Sequence, residues 1–185
     1  MKNTLRRQFG AAALLFAVAA GAARPGAAMA APAAPAPTLE YAFTATVTLA
    51  SPVEQGEVAS GRKRFIAITG GTVDGPLFKG RVLAGGGDWQ TILPGGLTQV
   101  EARYFLQAAD GTVVDVANPG VRVASPDVTE RIAQGQDVPP DAYYFRTTPR
   151  LAARAGPLDW MNRAVFVARG IRRPDHVQID FYVVR

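Results

Sequence analysis

The stretch LEYAFTATVTL, residues 39–49, decides the fold. Every second residue in it is apolar or aromatic, and most of the residues between them are threonines. A period of two with this composition predicts a half-buried β-strand. Similar stretches recur along the rest of the chain, at residues 62–69, 76–83, 88–93, 98–106, 112–117, 142–148, 163–170 and 177–184.

Tight-turn sequences separate many of these stretches. They are PGG at 94–96, ADG at 109–111, NPG at 118–120 and RRPD at 172–175. Short strands joined by tight turns predict an antiparallel meander. With about nine strands and little helix to cover a sheet edge, closure is the simplest way to remove the edges. We therefore predict an all-β fold, an antiparallel closed β-barrel of about 8–10 strands that occupies residues 39–185 as a single domain.

One segment predicts a short helix near residues 125–135, SPDVTERIAQG. Ser125 suits the N-cap and Pro126 the first helical position. Val128 and Ile132 are four residues apart and share a face, and Gly135 can end the helix in a left-handed conformation. We expect the helix to serve as a lid or plug across one barrel end, or as a plain connector.

Residues 1–30 are typical of an export signal peptide. They have a charged start, an alanine-rich apolar middle and small residues at the usual cleavage positions. The RRQF within them resembles a twin-arginine signal, although the general secretory route and a retained N-terminal helix are alternatives. A Pro/Ala linker follows at residues 31–38. We expect an exported, periplasmic protein with no stable membrane anchor after signal removal.

Charge and cysteine content exclude several classes of protein. The net charge of +5 falls to +1 without residues 1–30, because these hold four basic residues and no acids. A folded domain of that charge gives little support to a nucleic-acid partner. The chain has no cysteine, so disulfides and thiolate metal sites are excluded.

The three glycines of AGGGDWQTIL, residues 84–93, invite a comparison with phosphate-binding loops. Such loops need a particular glycine spacing and a helix that follows, and this segment leads into a strand pattern instead. We therefore interpret the glycines as a hairpin turn between the strands predicted at 76–83 and 88–93.

The sequence gives little support to a metal site or to a serine-hydrolase triad. His176 is the single histidine, and no acidic cluster accompanies it, so we predict no metal site and no cofactor. A Ser-His-Asp triad would need this histidine together with a serine in a nucleophile elbow, which the sequence lacks. We interpret His176 as a surface residue.

The polar faces of three predicted strands are candidates for a site. Gln99, Glu101 and Arg103 share one face, and Tyr144 and Arg146 share another. A third face combines glutamine, aspartate and tyrosine at 178, 180 and 182. If these faces point into the barrel, they form a polar lumen that could orient a ligand or move a proton. If they point outward, they are ordinary solvated faces. Alternation alone leaves both possibilities open.

Four motifs in order resemble a bacterial and fungal family, the domain of unknown function 3237, also called uncharacterised protein family 0311. They are ITGGTVDGPLFKGRVLAGGGDWQ, EARYFLQAADGTVVDV, YYFRTTPR and WMNRAVFVARG, and the resemblance covers about residues 40–184. It implies a compact antiparallel barrel of lipocalin-like architecture with an added helix. It also implies a set of family residues that folding alone does not easily explain.

That set and the polar faces together give the candidate ligand-binding residues: Asp88, Trp89, Glu101, Arg103, Tyr144, Arg146, Trp160 and Asn162. We expect the barrel to bind a small, partly apolar organic molecule in its lumen. The first alternative is an isomerase, lyase or cyclase that uses a lumen carboxylate, Glu101 or Asp88, and an arginine for proton transfer. The second is a structural or protein-interaction module. Ligand identity and oligomeric state stay open.

Overall fold

The structure is a computed structural model and describes residues 34–185. The predicted export signal at 1–30 lies outside the described residues, and residues 34–38 of the predicted linker have no regular structure. Eleven strands and one α-helix follow. They are β1 (Leu39–Leu49), β2 (Val53–Val58), β3 (Gly61–Asp74), β4 (Gly80–Val82), β5 (Gly87–Ile92), β6 (Leu97–Ala108), β7 (Val113–Val123), α1 (Pro126–Ala133), β8 (Tyr144–Thr147), β9 (Arg150–Ala153), β10 (Phe166–Arg172) and β11 (His176–Val184).

Eight of the strands close into an antiparallel barrel, as the sequence predicts. Their order around the barrel is β1, β3, β5, β6, β7, β8, β10 and β11, and β11 pairs with β1 to complete the ring. β2 and β9, which the alternation pattern did not indicate, are extra strands that pair with β3 and β7. Closure leaves the eight ring strands without a free edge.

The glycine segment does not form the predicted hairpin. β4 and β5 both lie between β3 and β6 and run in the same direction, so they occupy one strand position. Val82 and Gly87 are five residues apart, whereas their partners on β6, Leu106 and Arg103, are only three residues apart. Residues 83–86 therefore form a bulge with two extra residues. The bulge stays hydrogen-bonded to β3, because the Gly85 amide donates to the Ile68 carbonyl at 3.2 Å and the Gly86 carbonyl accepts from the Ile68 amide at 3.1 Å.

The predicted turn at NPG, residues 118–120, is also wrong. β7 continues through it to Val123 and stays paired with β6. Pro119 is tolerated because it stands where β7 passes from one neighbour to the next: β9 pairs with residues 114–117 and β8 with residues 120–123. The other three turn predictions are confirmed: those at 94–96 and 109–111 fall between strands, and the one at 172–175 begins at the last residue of β10.

Alternation places apolar side chains inside the barrel. In β1, Phe43, Ala45 and Val47 are buried, whereas a register shift between Tyr41 and Phe43 turns Tyr41 outward. One half of the barrel interior is solid. Fully buried side chains fill it, among them Phe43, Leu106, Met161, Phe166 and Phe181.

The predicted helix is confirmed as α1. Ser125 caps it by accepting a hydrogen bond from the Val128 amide at 3.3 Å, and Gly135 follows with a φ of 72°. Val128 and Ile132 join a buried cluster with Val100 and Phe145 from the barrel wall. The helix therefore packs against the barrel wall at Val100 and Phe145. None of the helices within residues 34–185 has the length and apolar character of a membrane span.

Candidate functional site

A cavity of about 60 Å³ lies inside the barrel, in the half that the core does not fill. Its wall combines apolar side chains with an unusual number of polar ones. The apolar group is Val47, Leu49, Ile66, Ile68, Val100, Ala102, Phe145, Val177 and Ile179. The polar group is Arg64, Asp88, Gln90, Tyr104, Asn118, Arg122, Thr147 and Arg172.

Strand alternation brings Arg64, Asp88 and Gln90 together on adjacent strands. Arg64 of β3 donates through Nε to the Gln90 side-chain oxygen at 2.8 Å. Gln90 of β5 donates in turn to Asp88 Oδ2, two residues away on the same interior face. The backbone amide of Glu101 donates to the other Asp88 oxygen, Oδ1, at 3.1 Å. The Asp88 carboxylate is therefore held in place from two sides.

Among residues 34–185, Asp88 is the one carboxylate in the cavity wall. Burial raises its pKa above the ordinary value of 3.8, although hydrogen bonds from Gln90 and the Glu101 amide oppose the shift, as do the charges of Arg64 and Arg122. A raised pKa moves a carboxyl group toward the range in which it can exchange protons near neutral pH.

Three guanidinium groups face this single carboxylate. Burial lowers the pKa of Arg122 to about 10, with Arg64 and Arg172 adding repulsion, and this leaves Arg122 charged at neutral pH. Burial is also the main cause that lowers the pKa of Arg64 and of Arg172. Even with Asp88 ionised, the cavity wall carries an excess of positive charge.

The three arginines differ in their salt-bridge and hydrogen-bond partners. Arg64 reaches Glu54 of β2 at 3.9 Å, and Arg172 donates to the backbone carbonyls of Arg173 and His176 at 3.1 Å. Arg122 is only 6% exposed, yet within residues 34–185 its guanidinium forms no salt bridge and no hydrogen bond. Burying a guanidinium without hydrogen-bond acceptors lowers the stability of the folded protein unless a ligand or water supplies them.

Three further polar atoms in the cavity wall lack hydrogen-bond partners among the described residues. They are the Tyr104 hydroxyl, Asn118 Oδ1 and Thr147 Oγ1, on residues that are each 3% exposed. Burial raises the pKa of the Tyr104 hydroxyl, although the nearby Asn118 side chain opposes the shift, and the hydroxyl stays protonated. The contact with Asn118 falls short of hydrogen-bond geometry, so the hydroxyl stays able to donate. Buried polar groups are normally hydrogen-bonded, so this cluster indicates that a ligand or water belongs in the cavity.

Of the predicted site residues, Asp88 lies in the cavity wall. Trp89 is 50% exposed on the outer face, where its ring lies 4.9 Å from that of Phe65. Of the two orientations that alternation left open for the polar strand faces, the structure has the outward one: Glu101, Arg103, Tyr144 and Arg146 are exposed. The reason is that the alternate residues of the same strands, such as Val100, Tyr104, Phe145 and Thr147, point inward.

Trp160 and Asn162 do not reach the cavity either. They belong to a 3₁₀ turn, Asp159–Arg163, at the filled end of the barrel. Trp160 packs against Phe166, with ring centroids 5.7 Å apart. The backbone amide of Ala153 in β9 donates to Asn162 Oδ1 at 3.0 Å, and Asn162 Nδ2 donates to the Ala153 carbonyl at 2.9 Å. These contacts give both residues a structural role.

The sequence prediction missed Arg64, Gln90, Asn118, Arg122 and Arg172. Asn118 and Arg122 were hidden by the supposed turn at 118–120, which ended the predicted strand at 117. Arg64 offered a signal, because RFIAI places it in phase with Ile66 and Ile68. The others could be found only from the strand pairing, which brings β3, β5, β7 and β10 around one cavity.

Metal binding has no support in the described part of the chain. Residues 34–185 contain no group of three or more histidine, cysteine or acidic side chains placed to hold an ion. His176 pairs with Asp175 at 2.7 Å and takes no part in the cavity wall.

Comparison with known proteins identifies relatives over almost the whole described chain. Residues 37–184 match the family described as "Protein of unknown function (DUF3237)". A UPF0311 protein of Bradyrhizobium diazoefficiens is 39% identical over 150 residues, which cover 80% of this chain and 98% of the relative.

Two solved structures are similar as well. One is the crystal structure of a conserved protein of unknown function from Rhodopseudomonas palustris, with a TM-score of 0.77 and 35% identity over 82% of this chain and all of that one. The other is a β-barrel-like protein from Acinetobacter baumannii, with a TM-score of 0.73 and 34% identity over 84% of this chain and all of that one. These matches confirm the resemblance and the barrel that the sequence predicted.

Proposed function

The chain belongs to the DUF3237 family of proteins of unknown function, and we propose from its cavity that it binds a small, partly apolar organic molecule inside the barrel. The observation that carries the proposal is the group of unpartnered, buried polar atoms around the cavity: the Tyr104 hydroxyl, Asn118 Oδ1 and Thr147 Oγ1. Burying polar groups without hydrogen-bond partners destabilises the folded protein unless a bound molecule restores the hydrogen bonds.

The size and wall of the cavity define what fits. A single water molecule needs roughly 10–15 Å³ of cavity volume, so a cavity of about 60 Å³ admits a molecule of about four to six non-hydrogen atoms. A wall that combines polar groups with Ile66, Ile68 and Ile179 suits a molecule with one polar and one apolar end.

Ligand-observed NMR with a set of fragments of three to six heavy atoms tests this proposal. We expect binding that is lost in Ala102→Leu, because the added carbons occupy the cavity. Ala117→Leu adds the same atoms on the outer face of β7 and should bind as the parent does. If no fragment binds the parent, or if Ala102→Leu binds equally well, the proposal fails.

A second candidate is a proton-transfer enzyme acting on a small carbonyl compound. The observation in its favour is that Asp88 and Arg122 face one cavity, and that burial raises the pKa of Asp88. The ionised Asp88 would accept a proton from the carbon next to the carbonyl. The carbonyl oxygen would take up the negative charge and be stabilised by Arg122.

Deuterium incorporation tests this second candidate. Pyruvate and acetone in D₂O should exchange their methyl protons faster with the parent than with Asp88→Asn, since the variant cannot accept the proton. Equal exchange rates in parent, variant and buffer would eliminate the enzyme and leave the binding proposal standing.

The periplasmic location is proposed along with this function. It is supported by the charged start, apolar middle and small-residue end of residues 1–30. Expression of the full chain in a Gram-negative host, followed by cell fractionation and mass spectrometry, tests it. An intact chain in the cytoplasm would contradict it.

A further inference from the structure

The charge of the cavity narrows the chemistry of its ligand. Arg64, Arg122 and Arg172 face a single carboxylate, Asp88, in the cavity wall. Arg64 and Arg172 already have acceptors in Glu54 and in backbone carbonyls. Arg122 has none within residues 34–185, so its guanidinium is the group whose charge a ligand would balance.

A guanidinium matches a carboxylate in geometry as well as in charge. Its planar N–H groups can bond both oxygens of a carboxylate at once. The Tyr104 hydroxyl and the Thr147 hydroxyl border the same cavity as Arg122, are also able to donate, and lack partners among the described residues. The cavity wall therefore offers several donors to an oxyanion.

The remaining wall limits the rest of the ligand. Ile66, Ile68, Val177 and Ile179 are apolar and offer no partner to a second charge. A multiply charged anion such as phosphate would leave oxygens against this wall without hydrogen bonds, which is unfavourable. A short carbon chain would instead bury apolar surface there.

Resting on the binding function proposed above, we infer that the ligand is a short-chain organic carboxylate of about four to six non-hydrogen atoms, held at its charged end by Arg122 with its carbon chain against Ile66, Ile68 and Ile179. Asp88 lies near the same charges and opposes the bound anion. Arg122 therefore strengthens binding, and an ionised Asp88 weakens it.

Calorimetric titration of the full-length protein at pH 7 separates the chemical classes. The probes are propionate and pyruvate, their neutral counterparts propionamide and 1-propanol, the cation propylammonium, and inorganic phosphate. We expect the carboxylates to bind with dissociation constants of about 1 mM or tighter. The neutral molecules should bind at least about tenfold more weakly.

Two variants with opposite effects sharpen the test. Arg122→Gln should weaken propionate binding by about tenfold or more, because a charge-assisted bond is lost. Asp88→Asn should strengthen it by about threefold or more, because a neighbouring negative charge is removed. Arg150→Gln, at an exposed arginine of β9, is the matched control and should bind as the parent does. Melting temperatures verify that each variant is folded.

Each outcome decides between the two proposals. Equal binding of propionamide and propionate, or tighter binding of phosphate, overturns the carboxylate and leaves a lumen ligand of another class. Tighter binding after Arg122→Gln also overturns it. Binding of none of the probes, together with no fragment binding, means that the cavity holds water only and removes both proposals.

Discussion

At the scale of the residue, Arg122 is the side chain whose position folding explains least. It is 6% exposed and, within the described chain, has no carboxylate in salt-bridge range. Burying a charge without a partner costs free energy that an apolar side chain of similar length would not cost. Selection for a ligand, rather than for stability, would account for an arginine here.

Arg122→Met is therefore expected to leave the protein as stable as the parent, or to raise the free energy of unfolding by about 1 kcal/mol. Urea unfolding at pH 7 measures it, and Arg150→Met, at an exposed position, should change stability by less than about 0.5 kcal/mol. A loss of about 3 kcal/mol or more would contradict the expectation, since it would mean that Arg122 has strong partners in the folded protein.

Asp88 makes stability depend on pH in a defined direction. Because burial raises its pKa in the folded state above 3.8, the folded protein holds this proton more tightly than the unfolded chain. The stabilisation is complete below pH 3.8 and is lost as the pH rises through the raised pKa. Relative to Asp88→Asn, the parent should thus become steadily less stable as the pH rises from 4.

Urea unfolding of both proteins between pH 4 and pH 7 measures this difference. Asp141→Asn, at an exposed aspartate, is the matched control. A parent that gains stability over Asp88→Asn as the pH rises would show that the charges of Arg64 and Arg122 outweigh burial at this site.

At the scale of the element, the bulge at residues 83–86 sets the position of β5. Gly85 and Gly86 both have a positive φ, 95° and 134°, which disfavours other residues. A Cβ on Gly85 would meet nothing within 4 Å, whereas one on Gly86 would lie 2.5 Å from the Arg103 carbonyl oxygen. The two glycines thus share backbone strain and differ in available space.

Gly85→Ala should cost about 1 kcal/mol of unfolding free energy, and Gly86→Ala about 1–3 kcal/mol more, because its methyl group collides with backbone. Urea unfolding of the matched pair measures the difference. Equal losses of unfolding free energy in the two variants would mean that the chain at Gly86 can move away from β6 without loss of stability. The bulge would then not fix the position of β5.

The N-cap of α1 gives a second prediction for an element. Ser125→Ala should lower the free energy of unfolding by about 1 kcal/mol, since the Val128 amide loses its acceptor. Ser125→Asp retains an acceptor and should stay close to the parent. If both variants lose the same amount in urea unfolding, the cap does not stabilise the helix.

Elements were predictable from the sequence to different degrees. Alternation located the ring strands, because in each of them one face is buried. The residues of α1 were equally clear, since Ser125, Pro126 and Gly135 each have a distinct local role. β2 escaped because it is mostly exposed, so that no apolar face marks it, and β9 escaped because its four residues are too few to show a period.

The cavity wall was much less predictable. Asp88 was found through its motif, but Arg122 lies beyond the predicted end of its strand at residue 117, and Arg172 lies in the segment predicted as a turn. Both faces of β6 and β8 contain polar residues, and local sequence does not state which one a closed barrel encloses. Register decides it, and register is a property of the assembled sheet.

At the scale of the whole molecule, closure joins the two ends of the described chain. The Thr38 amide donates to the Arg185 carbonyl, and the Arg185 amide donates to the Thr38 carbonyl, both at 2.9 Å. A linker of about two to five residues would therefore connect them as a hairpin. Cutting the chain elsewhere then creates a circular permutant.

A permutant of residues 38–185 opened at Asp110–Gly111, in the loop between β6 and β7, should fold into the same barrel. One opened at Pro119–Gly120 should not fold, because the cut falls within β7. Far-UV circular dichroism and thermal melting distinguish them. A well-folded second permutant would restore the turn at 118–120 that the sequence predicted and would contradict the continuous strand.

The outward position of Trp89 has an optical consequence. Its indole is half in solvent, and Trp160 packs at the filled end of the barrel, so neither tryptophan borders the cavity. Tryptophan emission should therefore shift when the chain unfolds and hardly change when a small ligand enters. The two tryptophans therefore report whether the barrel is folded and do not report whether the cavity is occupied.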